Sequence, residues 1–341
     1  MQNLGSHESI TDEVMKGDGH NLTINKLTVT GMVVKDQKYG GSITGSWWKN
    51  CQPDFVIQEN SSLYFHPSIP GRPTNEMLAA KLLAETNPSR PVVDMPLFIY
   101  ELREVPDLLR KEGGDWVRKL ASLNLKYHFG IKPLVNDLAS LLSFSDEVAK
   151  RQKELEALAK SGLRRKRHLW DGSTTESRNV TVNSTNRALL HVRSENSCSS
   201  QVWGFVNWFL ENPEMMKGDS RALAKKCVLG MTIDFATAWN AMPWSWLVDW
   251  CSNVGDILIA KRNLVGASHG PVQIMETVKS SAVCRSESGD PGLEPGTWER
   301  ITKTRRTVAD VSPSAQLPIL SLRQLSILGS IGVTRRVPRN P

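Results

Sequence analysis

The sequence predicts an α+β protein, because long blocks of alternating polar and apolar residues are separated by long blocks with helical periodicity. The blocks do not repeat as regular βαβ units, which favours two regions that are each assembled from discontinuous segments. One is an antiparallel β-sheet region and the other is a helical bundle. The predicted β region comprises residues 1–75, 170–211 and 265–312, and the predicted helical region comprises residues 76–169, 212–264 and 313–341.

Alternation near the start of the chain defines the first β block. Leu22 and Ile24, and then Leu27 and Val29, are each separated by one polar residue. This is the two-residue period of a strand with one buried face. Glycine and proline punctuate residues 40–73, which is typical of exposed hairpins.

Helical periodicity begins near residue 77. A first helix is expected over residues 77–87, and a second over residues 97–109, where Pro106 kinks or ends it. Two further helical pieces are expected within residues 115–142, separated near Gly130.

The clearest helix is expected over residues 145–167, with Ser145 as its N-cap. Its last turn would hold four consecutive cations, the run Arg164-Arg165-Lys166-Arg167, which we call the basic block. Positive charge suits the negative end of a helix dipole, so this placement is consistent with helix termination.

The remaining elements follow from the same two periods. Alternation predicts strands within residues 172–209, 276–285 and 298–308, and helical periodicity predicts helices within residues 220–264 and 317–331.

The charge balance indicates a polyanionic partner. The chain of 341 residues has a formal net charge of +7, and nucleic acid is the commonest partner of such basic proteins. The charge is uneven, because residues 298–341 hold eight Arg or Lys residues against two acids, a difference of +6. The basic block adds a second concentration of positive charge.

No pattern in the sequence indicates catalysis, a cofactor or a metal. The five cysteines are widely separated and lack C-x-x-C spacing, and the seven histidines never fall at metal-ligand spacing. Glycine-rich nucleotide loops and H-E-x-x-H are absent from the sequence. We therefore expect no catalytic residue, no metal site and no cofactor.

The N-terminal residues lack the basic and apolar regions of a signal peptide. No apolar run approaches the roughly 20 residues that a membrane-spanning helix needs. We therefore expect no membrane-spanning segment and synthesis in the cytoplasm.

Residues 239–258 are the most distinctive stretch, with four tryptophans in its first twelve residues. Pro243 suits the first turn of a helix, and Trp246, Trp250 and Val254 then follow at spacings of four. This spacing favours a buried helix over an exposed platform on which RNA bases stack. Asp249 could accept a hydrogen bond from a tryptophan or pair with an arginine of another helix.

Three motifs carry a resemblance to a known family. Residues 243–250 (PWSWLVDW), followed by residues 253–256 (NVGD), resemble the signature of the maturation proteins of small single-stranded RNA bacteriophages, the leviviruses. Residues 96–106 (PLFIYELREVP) and 127–138 (YHFGIKPLVNDL) resemble two further motifs of that family in the same order. The signature residues in this sequence are Pro243, Trp244, Trp246, Asp249, Trp250, Gly255 and Asp256.

The resemblance implies an elongated virion protein, present as one copy that takes the place of a coat-protein dimer. Such a protein binds structured hairpins of the phage genomic RNA near its 3′ end, attaches to a host pilus and enters the host with the RNA. In that scheme the helical region faces RNA and the capsid interior, and the β region faces the receptor. Some members also cause host lysis by inhibiting an enzyme.

The charge pattern selects the candidate RNA contacts. They are Arg164, Arg165, Lys166 and Arg167, followed by Arg335, Arg336 and Arg339. Each group could equally be a solvated helix end or tail. A cellular RNA-binding protein and a phage lysis factor, such as a cell-wall hydrolase, are the alternative functions; a hydrolase requires a carboxylate pair or metal site that the sequence does not supply.

Overall fold

The structure is a computed structural model that describes residues 3–12, 20–31, 37–39, 46–48, 62–103, 116–183, 189–211, 219–231, 234–242, 244–286, 295–316 and 320–336. An antiparallel sheet and a set of helices confirm the predicted α+β class. The chain divides into two compact units. Unit 1 comprises Met1–Pro73, His168–Gly204 and Pro271–Val308, and unit 2 comprises Thr74–Arg167, Phe205–Gly270 and Ala309–Pro341.

Seven strands form the main sheet, in the order β1-β2-β9-β8-β6-β5 with β7 paired to β6. The strands are β1 (Asn3–Asp12), β2 (Leu22–Gly31), β3 (Gln37–Tyr39), β4 (Ser46–Trp48), β5 (Leu163–Asn183), β6 (Leu189–Leu210), β7 (Ala267–His269), β8 (Val272–Ser286) and β9 (Gly296–Val308). Strands β3 and β4 pair separately. The antiparallel register places Leu27 of β2 opposite Arg300 of β9, and Trp298 of β9 opposite Ala282 of β8.

The alternation seen in the sequence corresponds to the two faces of this sheet. Leu27 and Val29 of β2 are buried, while the residues between and beside them are more exposed. In β6, Val192 and Val202 belong to a run in which every second residue is buried. One face of β2 and one face of β6 are therefore covered, as the two-residue period predicts.

Residues 62–73 contribute to the core of unit 1. Tyr64 packs edge-on against Trp298, with ring centroids 5.7 Å apart. Arg72 donates two hydrogen bonds to the carboxylate of Glu276, with distances of 2.9 and 2.7 Å. The segment is therefore attached to β8 and β9 by both apolar and charged contacts.

His66 lies within the same core and bridges two strands. Its Nε2 is 2.7 Å from the hydroxyl of Thr302, which donates its own hydrogen to Asn25. Nε2 is therefore the protonated nitrogen, and Nδ1 accepts from the hydroxyl of Ser280 at 2.7 Å. Burial lowers the pKa of His66 to about 4, and the nearby Arg300 acts in the same direction.

The helices of unit 2 have the following bounds. They are α1 (Asn75–Thr86), α2 (Met95–Leu102), α3 (Trp116–Lys126), α4 (Lys132–Leu142), α5 (Phe144–Ser161), α6 (Ser220–Leu229), α7 (Phe235–Ala241), α8 (Ser245–Cys251), α9 (Val254–Ala260) and α10 (Leu322–Arg336).

Helix α1 lies in the core of unit 2. Thr74 caps its N-terminus by accepting a hydrogen bond from the backbone of Met77, and Leu78 and Leu82 are buried. The side chain of Asn87, just beyond its C-terminus, donates to backbone carbonyls at the end of α9, including that of Ala260 at 3.0 Å. The ends of two helices distant in sequence are thereby joined.

The prediction of a helix over residues 145–167 is wrong at both ends. Helix α5 begins at Phe144, so Ser145 is not its N-cap, and it ends at Ser161. Gly162 follows with a φ of +77° and donates its N–H to the carbonyl of Leu158. A residue with positive φ cannot continue a right-handed helix, and the basic block therefore lies on strand β5.

Other predicted bounds also differ from the structure. Helices α3 and α4 are not separated near Gly130, because a π turn (Tyr127–Ile131) connects them and Lys132 donates its N–H to the carbonyl of Tyr127. The last helix is α10 rather than residues 317–331. Helix α2 covers part of the predicted residues 97–109, and Pro106 lies outside the described residues.

The half-buried imidazole of His66 predicts a specific pH dependence of stability. The usual pKa of histidine is 6.5 and the folded value is about 4, so folding favours the neutral form. Its contribution is fully present above pH 6.5 and is lost as the pH falls toward 4. We expect the difference in urea midpoint between wild type and His66→Gln to shrink over that range, because glutamine does not titrate. The exposed-histidine variant His168→Gln is the control; a constant difference for His66→Gln would contradict the prediction.

Candidate nucleic-acid interface

The basic block lies on β5, and strand geometry separates its side chains onto two faces. Arg165 and Arg167 line a cleft of about 570 Å³ in unit 2. The lining residues are Glu85, Thr86, Asn87, Arg90, Pro91, Val92, Glu147, Lys150, Arg151, Glu154, Arg165 and Arg167. Its walls are thus the end of α1, the segment after it, helix α5 and the start of β5.

This cleft has an excess of positive charge. Five arginines or lysines and three glutamates line it, which gives a formal charge of +2. Two of the arginines are engaged within the wall. Arg151 donates to the carbonyls of Pro88 and Arg90, each at 2.9 Å, and Arg165 pairs with Glu154 at 2.8 Å.

The other cations of the cleft face solvent. Arg90, Lys150 and Arg167 are exposed, and within the described part of the chain Arg167 is in no ion pair. Lys150 has a long contact of 3.8 Å with Glu147, which is worth little at an exposed site. These three side chains can therefore bind an anion without first losing a strong internal partner.

The opposite face of β5 carries Arg164 and Lys166, both exposed. The guanidinium of Arg164 lies over the ring of Phe205, 4.3 Å from its centroid. This cation–π contact orients the arginine while leaving its edge accessible. The block therefore offers cations on two sides of one strand rather than around the end of a helix.

The structure places the C-terminal candidates separately. Arg335 and Arg336 are the last residues of α10, and their side chains lie outside the described part of the structure. Arg339 also lies outside the described residues. The contacts of these three side chains remain a prediction from sequence.

The tryptophan-rich stretch forms three short helices, α7, α8 and α9, rather than the single helix that the spacing predicts. Trp244 has a φ of +72° before α8, and Pro243 lies outside the described residues. Asn253 lies in the break between α8 and α9. Its side chain donates to the carbonyl of Ser312 and accepts from the N–H of Ser314, which holds this break in place. Val254 consequently begins a new helix and does not continue the face of Trp246.

The tryptophans of α8 form an aromatic cluster. Trp246 is 4.6 Å from Phe129 and 4.8 Å from Trp250, measured between ring centroids, and 5.8 Å from Trp244. Trp246 and Trp250 are half-buried, and Trp244 is 42% exposed. The cluster joins α8 to the π turn, which carries Phe129.

Asp249 accepts hydrogen bonds from a tryptophan, which is one of the two roles considered for it. The indole Nε1 of Trp239 lies 3.1 and 3.2 Å from its two carboxylate oxygens. The backbone N–H of Gly255 also donates to Asp249, at 3.0 Å. Burial and the nearby Asp249 carboxylate raise the pKa of Asp256 to about 6. Two signature residues, Asp249 and Gly255, are thus joined by a hydrogen bond, and the three signature tryptophans are in ring contact.

Gly255 is required by the closeness of Asp249. A Cβ added at Gly255 would lie 2.7 Å from one carboxylate oxygen of Asp249 and 2.8 Å from the other. The sequence motif indicated this glycine, but the reason for it is visible in the fold alone.

A buried charge network in unit 2 was not anticipated from the sequence. The Nη2 of Arg262 donates to Asp94 at 2.6 Å, to Asp234 at 2.9 Å and to the hydroxyl of Thr237 at 2.7 Å. Asp94 caps α2 and Asp234 caps α7. In the sequence, each aspartate can be recognised only as a residue that precedes a helix, as an ordinary N-cap does. Nothing in the sequence indicates that the two share an arginine. The network connects helix ends and points to a structural role.

The described residues contain no group of three or more His, Cys, Asp or Glu side chains placed to hold a metal ion. They also contain no helix that is long and apolar enough to cross a membrane.

Replacement of Gly255 by alanine should destabilise unit 2, because the new methyl group must displace the Asp249 carboxylate. We expect a loss of about 1–3 kcal/mol in the free energy of unfolding, measured by urea denaturation. The matched control is Gly329→Ala, since a Cβ there meets no atom within 4 Å. An exposed helical glycine replaced by alanine should stabilise by up to about 1 kcal/mol. Equal effects of the two variants would contradict the packing argument.

Replacement of Arg262 by methionine should cost about 3–5 kcal/mol, because it leaves two partly buried carboxylates without their shared cation. Urea denaturation followed by far-UV circular dichroism measures the loss. The neighbouring exposed cation provides the control, Lys261→Met, which should change stability by less than about 0.5 kcal/mol. A small effect at Arg262 would show that the network is dispensable.

The comparisons with known proteins agree with the motifs. The sequence model of the phage maturation protein family matches residues 101–288, which is more than half of the chain. A search of curated protein sequences finds no match. The matched range contains the basic block, the π turn and the tryptophan-rich helices.

Proposed function

The chain belongs to the phage maturation protein family, and from this premise we propose that it binds the genomic RNA of a single-stranded RNA phage and attaches the particle to a host pilus. Family membership makes it a virion protein with a structural and attachment role. We further propose that the protein is made in the cytoplasm of the bacterial host. Each particle would contain one copy, in contact with coat protein.

The cleft beside β5 is the observation that carries the proposal of RNA binding. It gathers Arg90, Lys150 and Arg167 at one exposed site. Such clusters bind RNA phosphates because the bound cations replace counterions condensed on the RNA, and the release of these counterions is favourable. Arg151 and Arg165 are held by the wall, so the site is formed before RNA arrives. Preorganised donors lower the entropy cost of binding.

The structured form of the RNA suits this arrangement. A hairpin presents two phosphate backbones and an exposed loop, and proteins recognise such shapes more readily than the deep groove of an RNA helix. The cations on both faces of β5, with Arg164 held over Phe205, can contact more than one phosphate strand. We propose that the partner is a hairpin near the 3′ end of the genome. Arg335, Arg336 and Arg339 are proposed as further contacts.

We assign attachment to the β region and RNA contact to the helical region, with the boundaries expected from the sequence. The exposed face of the sheet in unit 1 supports the first assignment. It contains a shallow depression of about 320 Å³ whose lining combines hydroxyl groups, two carboxylates and the apolar residues Ala282, Val283 and Trp298. A mixed surface with two carboxylates and no cation suits contact with a protein filament better than contact with RNA phosphates.

Ultraviolet crosslinking in infected cells, followed by sequencing of the attached RNA, tests the proposed function. We expect reads to accumulate at a few structured sites of one phage genome, with the main site near its 3′ end. Reads spread over host transcripts would support a cellular RNA-binding protein instead. Recovery of no RNA would contradict the proposal.

A paired variant tests the cleft itself. Arg90→Gln together with Arg167→Gln should weaken binding of the recovered RNA in filter assays and lower its salt dependence by about one unit of slope per lost phosphate contact. Arg193→Gln, at an exposed arginine of unit 1, is the matched control. Equal binding by the paired variant and the control would exclude the cleft as the site.

A further inference from the structure

A long apolar stripe runs along the outside of unit 2. Helix α3, the π turn and α4 are consecutive, and one side of this ridge carries a large apolar residue at every third or fourth position. The residues are Trp116, Leu120, Leu123, Tyr127, Ile131, Val135, Leu138 and Leu142, each between 46% and 84% exposed. We call this set the apolar stripe.

The π turn keeps the apolar stripe straight. Residues spaced by four in an α-helix drift around its axis by about 40° at each step. A π turn contains about one residue more than an α turn, so it rotates the residues after Ile131 back into line with those before Tyr127. The two helices therefore present their apolar positions along one line.

The ridge packs into unit 2 by its less apolar side. Ala121 and Ser122 are buried, and the amide of Asn124 donates to the hydroxyls of Ser326 and Ser330 on α10, each at 2.9 Å. This is the reverse of the usual amphipathic helix, which buries its apolar face. At roughly 100 Å² each, the eight side chains expose on the order of 800 Å², more than the largest apolar patch of a typical monomer.

Exposed apolar side chains are concentrated in this unit. In the described part of unit 1, the large apolar residues that are exposed are Ile10 and Val283. Other large apolar side chains of unit 2, such as Phe235 and Leu322, are also exposed. The stripe is distinguished from them by its continuous helical spacing along α3 and α4.

Positive charge flanks the apolar stripe. Lys119, Lys126 and Lys132 lie within about a quarter turn of it by helical geometry. Asp137 lies on the side turned toward the rest of the unit, where burial and the nearby Asp94 raise its pKa. The accessible borders of the stripe are consequently basic.

We propose that the apolar stripe docks on an anionic phospholipid membrane, with its apolar side chains in the headgroup region and Lys119, Lys126 and Lys132 against the lipid phosphates. A helix with leucine and tryptophan on one face and lysine beside it is the pattern of interfacial membrane binding. Tryptophan and tyrosine also favour the membrane–water interface. This inference is independent of the proposed RNA and pilus contacts.

Two other occupants fit the observations less well. RNA would gain from the lysines but would not cover exposed leucine, isoleucine and valine side chains, since its surface is dominated by phosphates and sugars. A protein partner would cover them, but it would need acidic residues placed against each flanking lysine, whereas an anionic membrane surface presents negative charge along the whole stripe. A lipid interface accommodates both kinds of residue.

Vesicle flotation with the purified, nuclease-treated full chain tests the proposal. We expect the protein to float with vesicles that contain phosphatidylglycerol. It should remain at the bottom of the gradient when the vesicles contain phosphatidylcholine alone. The double variant Leu120→Ser and Leu138→Ser should lower the partition coefficient at least about tenfold. Both residues are more than half exposed, so the fold should persist. Ile10→Ser, in unit 1, is the matched apolar control.

The lysines are tested separately. Lys119→Gln and Lys132→Gln should each weaken binding to the anionic vesicles about fivefold and reduce its sensitivity to salt. Lys153→Gln, at an exposed position of α5, is the charge control and should have no effect.

The inference is wrong if the protein floats with neither kind of vesicle. It is also wrong if the leucine variants float as well as the wild type. If the leucine variants instead convert an oligomer into a monomer in sedimentation, without vesicle binding by the wild type, a second copy of the chain covers the stripe and the membrane proposal is wrong.

Discussion

The buried guanidinium of Arg262 is the constraint on which much of unit 2 depends. A charge removed from water is tolerated only when it is paired, and here its partners, Asp94 and Asp234, also cap α2 and α7. The starts of two helices and the end of α9 are thereby fixed to one point. Because α7 carries Trp239, which donates to Asp249 of α8, the position of the aromatic cluster follows from the same network.

Local periodicity was sufficient for the fold class and for many elements. Strand β2 follows from the alternation of Leu27 and Val29, since one buried face imposes a period of two wherever it occurs. The basic block was misplaced for the complementary reason. Four consecutive cations have no apolar period. The positive φ of Gly162, which ends α5 before them, belongs to one of several conformations that glycine adopts in any sequence.

The candidate site was predictable in part. The basic block could be read from the sequence as a concentration of charge, but its neighbours could not. Arg90 and Lys150 reach the cleft from segments far from β5, and that proximity is a property of the fold. The tryptophan-rich stretch shows the same limit. Its spacing suggested one helix, and Asn253 divides it through hydrogen bonds to residues 312–314, which no local pattern reveals.

Strand β5 is a terminal strand of the described sheet, and it begins with the basic block. A long outer strand leaves backbone groups available to a strand of another molecule, and clustered like charges oppose that approach. The arginines that we propose as RNA contacts can therefore also keep copies of the protein apart. Loss of these charges by mutation would leave a long strand edge unprotected, which couples the proposed RNA contact to solubility.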